Sequence, residues 1–465
     1  MFKTWKNRDY KIEIHFSDDL IYTAYSDDSN RRVKDLSWNE TEGNTTSNIL
    51  GITESNRGTV TLFDINDYLS PNNSNSPYKE YLKTGKKVNV YKEKEDGTYE
   101  KDRDYYITSI AGSFAEGIPG TVSFGLADRY NLICNTAITG LDIFVNVPIS
   151  ELIYKVFELV GVSADEIYFD SRLDKDIPYG VVYGQTIKEF INGACQILMA
   201  RCTVDKNNRF IFIPALARYE NSKEWEVTEE LIEEGLADIQ SLKNSLNTSM
   251  NYSKVKLIYD LAGNEIGAQI KSLNQTIVTG YNKFVIPFDS RALEINEIKI
   301  KSKEAGTISN IEYVAYQDAI EITCYSLTDN IANFIINGTI IATTETYEER
   351  QLDNDLYNNS YFTFRSKIIM TEEKARETIA SLADYISKMK HTISISLKIT
   401  DEVSVGDILI LNIENDTYRG IYKIIDVKGK AGNPILNLTC VLEENIAYNR
   451  WNDNDFWNDD EAWED

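Results

Sequence analysis

At 465 residues the chain is too long for one ordinary core, so two to four domains are expected. Its 42% hydrophobic and 26% charged residues are normal for a globular protein, and 29 Tyr against 8 Pro favour strands over helices as the framework. A formal net charge of −25 argues against a nucleic-acid-binding surface, which needs clustered Lys and Arg, and against anionic membranes.

From the N-terminus, Lys11–Phe16 alternates polar and apolar residues, the mark of a half-buried strand, and Gly58–Phe63 repeats the pattern. Val88–Tyr91, Tyr105–Ile110 and Thr121–Leu126 follow, separated by turn clusters, so residues from about 8 to 140 read as a small barrel or sandwich. Ser150 is expected to cap a helix with Leu152, Ile153, Val156, Phe157 and Val160 inward and Gly161 closing it. A second helix starts near Thr186 with Ile187, Phe190, Ile191, Ala194, Cys195 and Leu198 on one face. The strands Arg201–Val204 and Arg209–Ile213 then make a hairpin, and an acidic helix is expected around Thr228–Leu242, leading into the strand Lys254–Tyr259.

Residues from about 261 to 360 carry little helix signal. Phe284–Pro287, Glu297–Ile300 and Ile311–Tyr316 are strand candidates, and Asn337-Gly338 is expected to turn a tight hairpin between Phe334–Ile336 and Thr339–Thr343. Thr371 is placed to cap a long helix with Ala375, Ile379, Leu382, Ala383, Ile386 and Met389 inward. Strands return at Thr392–Ile399, Asp407–Ile413, Tyr422–Val427 and Leu436–Val441.

An internal repetition stands out. The strands KKVNVY, YYITSI and TVSFGL after Gly85 recur in order and spacing as DILILNI, YKIIDV and LNLTCV after Gly406. The first turn is Asp96-Gly97-Thr98-Tyr99 in one copy and Asn415-Asp416-Thr417-Tyr418 in the other, the pattern of a duplicated unit.

The inventory for chemistry is thin. His15 and His391 are the two histidines, far apart and each at a strand, whereas a Ser-His or Cys-His enzyme needs one beside its nucleophile. GxSxG, HExxH, P-loop and GxGxxG motifs are all missing, so no catalytic, cofactor-binding or metal-ligating residue is predicted and no enzyme is expected. Cys134, Cys195, Cys202, Cys324 and Cys440 are scattered without a CxxC pair and read as buried thiols. Asp353-Asn354-Asp355 does not fit a calcium loop and reads as a solvated turn. No run approaches about eighteen apolar residues, so no membrane anchor is expected. The N-terminus lacks the apolar core of a signal peptide, which places synthesis in a host cytoplasm.

Residues 49–91 carry a spaced run in which a strand ending at Asp64 is followed by Pro71, Asn73, Ser76, Pro77, Tyr78, Tyr81, Leu82, Gly85, Val88 and Tyr91. This run resembles the N-terminal barrel of phage tail-tip proteins, the baseplate hub or tail-associated family. The helix–hairpin stretch 177–214 and the closing strands from Val405 onward resemble the family's next module and last barrel. The resemblance implies an α+β, mainly β chain made of two related small β-barrel domains with an inserted helix–hairpin module and a further β-rich domain. It sets boundaries at 1–140 for the first barrel, 141–245 for the module, 246–260 with 361–445 for the second barrel, 261–360 for the β-rich insertion and 446–465 for a tail.

The resemblance further implies a structural virion protein. Three copies would form a homotrimeric ring that adapts a six-fold tail tube to a three-fold tip and lines the DNA exit channel. Its partners would be the tail tube or distal tail protein, baseplate wedge, spike or fibre proteins and the tape-measure protein, with DNA only in passage. Many members continue into peptidase, lysozyme or fibre domains; this sequence stops soon after the last barrel, so cell-wall cleavage is expected elsewhere. The alternatives are a baseplate adaptor, the hub of a phage-derived injection particle, or a carbohydrate-binding or hydrolysing tail protein. In the closing acidic stretch Trp451, Trp457 and Trp463 recur every six residues, with Phe456 between, and are expected to dock along a partner in extended form.

Overall fold

A computed structural model describes residues 9–27, 31–41, 55–64, 68–70, 73–94, 96–115, 118–182, 184–215, 222–244, 252–302, 307–352, 360–388, 391–398, 403–413, 419–431, 433 and 435–444. Seven strands come first: β1 (Tyr10–His15), β2 (Ile21–Tyr25), β3 (Val33–Thr41), β4 (Arg57–Asp64), β5 (Lys87–Glu93), β6 (Tyr99–Ala115) and β7 (Ile118–Ala127). Alternation sets their faces, so Tyr10, Ile12 and Ile14 of β1 point inward while Lys11, Glu13 and His15 stay partly exposed. They run in the order β3-β4-β7-β6-β5-β1-β2. A parallel bridge between Tyr25 and Arg31 returns β2 to the segment entering β3 and closes a barrel around Ile12, Phe16, Val60, Leu62, Val88 and Phe124.

The helix–hairpin module follows with α1 (Arg129–Ile133), β8 (Val145–Pro148), α2 (Ile149–Glu158), β9 (Ile167–Phe169), β10 (Asp176–Tyr179), α3 (Ile187–Leu198), β11 (Ala200–Val204) and β12 (Phe210–Pro214). Thr186 caps α3 as expected, exchanging hydrogen bonds with Glu189 in a capping box. Ser150 does not cap α2. That helix starts two residues earlier, with Pro148 in the cap position, because Ile149 is fully buried and joins Leu152, Ile153 and Val156 on the inward face.

Next come β13 (Glu224–Thr228), α4 (Glu229–Glu233) and β14 (Ala237–Asn244). The acidic helix expected over Thr228–Leu242 is thus cut to five residues. Gly235, at φ +67°, stops it in the left-handed region, and the chain beyond pairs as a strand.

The insertion holds β15 (Lys254–Ile277), β16 (Gly280–Pro287), β17 (Ala292–Ser302), β18 (Ile308–Ala315), β19 (Ala319–Ser326), β20 (Asn330–Gln351) and β21 (Tyr361–Met370). The hairpin expected at Asn337-Gly338 is not formed, because both residues lie inside β20. Gly338 faces Ala268 on one side and Ile295 on the other, and a Cβ there would stand 2.1 Å from Glu294 O. Glycine serves close strand approach here, not a turn. The sheets β17-β20-β15-β21 and β16-β19-β18 enclose Ile277, Ile286, Ile320, Ile322, Phe334 and Ile336.

The chain ends with α5 (Glu372–Lys388), β22 (His391–Lys398), β23 (Ile408–Asn412), β24 (Gly420–Lys430) and β25 (Ile435–Glu444). The second strand set runs β14-β22-β25-β24-β23-β13, mirroring β3-β4-β7-β6-β5-β1 strand for strand. One pairing differs: β1 lies antiparallel to β5, whereas β13 lies parallel to β23. The insertion leaves the second set between β14 and β22, the counterparts of β3 and β4. Val255, Leu257, Tyr259, Phe362, Phe364 and α5, grouped with the second barrel from sequence, bury their side chains in the module's core. The second set closes over Val227, Ile393, Ile395, Leu409, Tyr422 and Leu438. The two sets also join: the far half of β24, whose first half pairs with β23, pairs with the edge strand β3 from Asp426↔Thr41 to Lys430↔Ser37, making one thirteen-stranded sheet among the described residues.

Candidate assembly site

The spaced run after Asp64 is a plug for one end of the first barrel. The Asp64 carboxylate accepts the Tyr68 and Leu69 backbone N–H groups at 2.8 and 2.9 Å, turning the chain so that Leu69 is buried. The Ser76 hydroxyl donates to Tyr68 O and accepts from Tyr78 N at 3.1 Å. Tyr78 then lays its ring 5.0 Å from Phe16 and edge-on to Tyr22 at 5.6 Å. Gly85, at φ +83°, donates its N–H to Ile107 O at 2.7 Å as the chain enters β5. Each of these residues is accounted for by closing the barrel; Pro71 lies outside the described residues.

The seam between the strand sets is built on Trp38. Gly429 faces it across the β3–β24 pairing, and a Cβ on Gly429 would meet the indole Cζ2 at 2.4 Å. On its other sides the indole meets the Arg103 guanidinium at 4.8 Å and the Tyr10 ring at 6.0 Å. Arg103 pairs with Glu40 at 2.6 Å and with Asp102 at 2.7 Å. Burial pushes the Glu40 carboxyl above the usual carboxylate range, and Arg103 offsets only part of that. At Asp102 burial pulls the same way, but the adjacent guanidinium, bonded through Nε, prevails and holds the carboxyl low.

Beside the seam, side-chain amides stitch the first barrel to the module. Asn56 accepts from Thr41 N at 3.0 Å and donates to Val204 O at 2.7 Å. Asn208 accepts from Arg129 N at 2.9 Å and donates to Asp104 O at 3.2 Å. Asp128 takes the Ser55 hydroxyl and Asn56 N–H, both at 2.7 Å, and caps α1; burial raises its carboxyl to about 6 despite those donors. A cavity of about 280 Å³ opens where barrel, module and second strand set meet, bordered by Lys206, Arg209 and Lys223 with Glu40, Asp205 and Asp407. The carboxylates serve the protein itself: Asp205 takes Asn207 N and Arg209 N, and Asp407 takes Lys223 N, Ser404 N and the Trp225 indole.

Among the described residues the two histidines are far apart. His15 meets Asn89 Nδ2 at 2.8 Å on the barrel surface, while His391 starts β22 on the other strand set. All five cysteines are buried, and burial pushes the Cys195 and Cys440 thiols far up, away from reactivity. Among the described residues no group of three or more His, Cys, Asp or Glu is placed to hold a metal ion. No described helix is long and apolar enough to cross a membrane. Trp451, Phe456, Trp457 and Trp463 lie outside the described residues. Trp38 and Arg103 carry no local sequence signal for their role in the seam; only Gly429, interrupting the alternation of β24, hints at a close approach.

No protein-family model and no curated protein matches the sequence. Solved structures do match. The 43 kDa tail protein of prophage MuSo2 from Shewanella oneidensis superposes with a TM-score of 0.51 at 9% identity, covering 94% of this chain and 98% of that one. The tail protein from Neisseria meningitidis MC58 superposes with a TM-score of 0.50 at 7% identity, over 94% and 97% of the two chains. At such identities the likeness is one of fold, and it runs nearly end to end: this chain has the fold of phage-type tail proteins.

Proposed function

We propose that the chain is a structural subunit of a phage tail tip or baseplate hub. Three copies close into a ring that adapts the six-fold tail tube to a three-fold tip. The observation that carries this reading is the pair of matching strand sets fused through β3 and β24. One subunit thereby offers two near-equivalent units, so a trimer offers six toward a hexameric neighbour. Tail tube or distal tail protein, wedge, spike or fibre proteins and the tape-measure protein are its partners. Its place is the virion tail tip.

DNA passes through the ring without being bound, since −25 per subunit repels phosphate and the lumen is acidic or neutral. The chain hydrolyses nothing by itself; zymography on peptidoglycan tests this, and lysis abolished by a single Asp or Glu substitution would sink it. Trp451, Phe456, Trp457 and Trp463 anchor the acidic tail on another tip component. Mass photometry of purified protein or of isolated tips tests the ring. Masses at multiples of three subunits support it, and a stable monomer that never enters particles overturns it.

A further inference from the structure

We propose that the β-rich insertion is a hinged arm, held against the helix–hairpin module by a latch centred on Gln317.

Gln317 sits in the turn between β18 and β19 and is only 2% exposed, although it belongs to a surface turn. Its side chain is inserted into the module's backbone. Oε1 accepts from Val182 N at 3.0 Å, while Nε2 donates to Gly180 O at 2.6 Å and to Asp142 O at 2.9 Å. Its own N–H donates to Leu141 O at 2.9 Å. Next to it, Asp318 accepts Gly140 N at 3.0 Å and lies 3.7 Å from Arg291. The carbonyls of Gln317 and Asp318 accept Ala292 N and Phe288 N from the arm itself, so the latch is rigidly part of the arm. Beyond these bonds the contact is small: Val181, Leu293 and Ile369 form the buried cluster, flanked by Tyr179, Ala262 and Ile341. An interface that is modest and mainly polar permits relative motion by default.

The covalent connection is suited to bending. β15 and β20 leave the module's core, where Val255, Leu257 and Tyr259 are buried, and re-enter a core at Ile277 and Phe334. Between those cores Gly263, Asn264, Glu265, Ile266 and Gly267 are exposed, while Ala262 and Ile341 rest on the small cluster and Glu265 accepts from the Tyr179 hydroxyl of the module at 3.2 Å. The register slips between Ala262 and Glu265, within the neck, and again between Gln269 and Lys271, just beyond it where β17 has joined the sheet. Bulges relax the ladder and concentrate bending and twist. Only between the β21 pairing, which ends at Leu261, and the β17 pairing, which begins at Ile340 opposite Ile266, is the ribbon two strands wide, and Gly263 in this short exposed stretch makes it the softest section between two packed bodies.

The test uses full-length chain with nitroxides on Glu151→Cys in α2 and Ser309→Cys in β18, diluted with unlabelled chain. The native cysteines are all buried and leave the labelling selective. Electron–electron double resonance should give one narrow distance distribution in the parent and at least a doubled width with Gln317→Ala. Gln317→Glu supplies a second reading should the alanine variant fail to fold. Its carboxylate would face two carbonyl oxygens, so the arm should be released at neutral pH and return when the side chain is protonated near about pH 4. A parent distribution already as broad as the variants, or variants as narrow as the parent, overturns the latch.

Discussion

Replacing Gly429 with Ala perturbs the seam at its closest approach. The new methyl would need the space of the Trp38 indole, with Cζ2 at 2.4 Å, Cε2 at 2.5 Å and Nε1 at 2.9 Å. A ring at the end of a side chain ordinarily swings aside, but this one is held between Arg103 at 4.8 Å and Tyr10 at 6.0 Å. Either the indole leaves the guanidinium or β24 moves off β3. Overpacking of this kind costs about 1–3 kcal/mol. Losing a desolvated cation–π contact costs a further ~0.5–2 kcal/mol. We expect a total near ~2–4 kcal/mol, read as a lowered urea midpoint by tryptophan fluorescence. Trp38→Phe vacates the space, so adding it to Gly429→Ala should recover part of the loss, a coupling visible in a double-mutant cycle. A change within about 0.5 kcal/mol, or strict additivity of the two substitutions, would refute the reasoning.

Asp128 predicts a pH signature. Its folded-state pKa of about 6 lies above the ordinary 3.8, so the folded state takes up the proton first as pH falls. Its contribution is fully present below about pH 4 and is lost as pH rises through about 6, worth up to ~3 kcal/mol. The stability difference between parent and Asp128→Asn should change across that window, and a flat difference from pH 4 to 7 would count against the assignment. Gly338→Val forces β20 from β17, since even a Cβ stands 2.1 Å from Glu294 O; circular dichroism melting should show a loss of at least ~2 kcal/mol. Replacing Trp451, Trp457 and Trp463 with Ala should leave the ring intact and weaken attachment of a second tip component. Particles of full composition and infectivity carrying the triple change would remove the tail from the docking account.

Much of the framework was legible because local pattern and tertiary demand agreed. The alternation of Lys11–Phe16, the capping box at Thr186 and the repeated three-strand unit all formed where the residues placed them. Failures came where long-range pairing overrode a local signal. Asn337-Gly338 has the composition of a hairpin turn, yet it lies within β20 because Gly338 is needed for approach to Glu294. The acidic run after Thr228 has helix propensity, but Gly235 ends the helix and β22 supplies a strand partner. The seam and the Gln317 latch were invisible. Each depends on side chains brought together from distant segments, and a Trp, an Arg or a Gln alone carries no pattern.

Cryo-EM reconstruction of the particle that carries this chain tests the central claim most directly. The account predicts three copies around the tail axis, with the two strand sets of each subunit alternating into six near-equivalent positions facing the tube. The chain found as a single copy, off the axis, or in a ring that uses only one strand set of each subunit would contradict it.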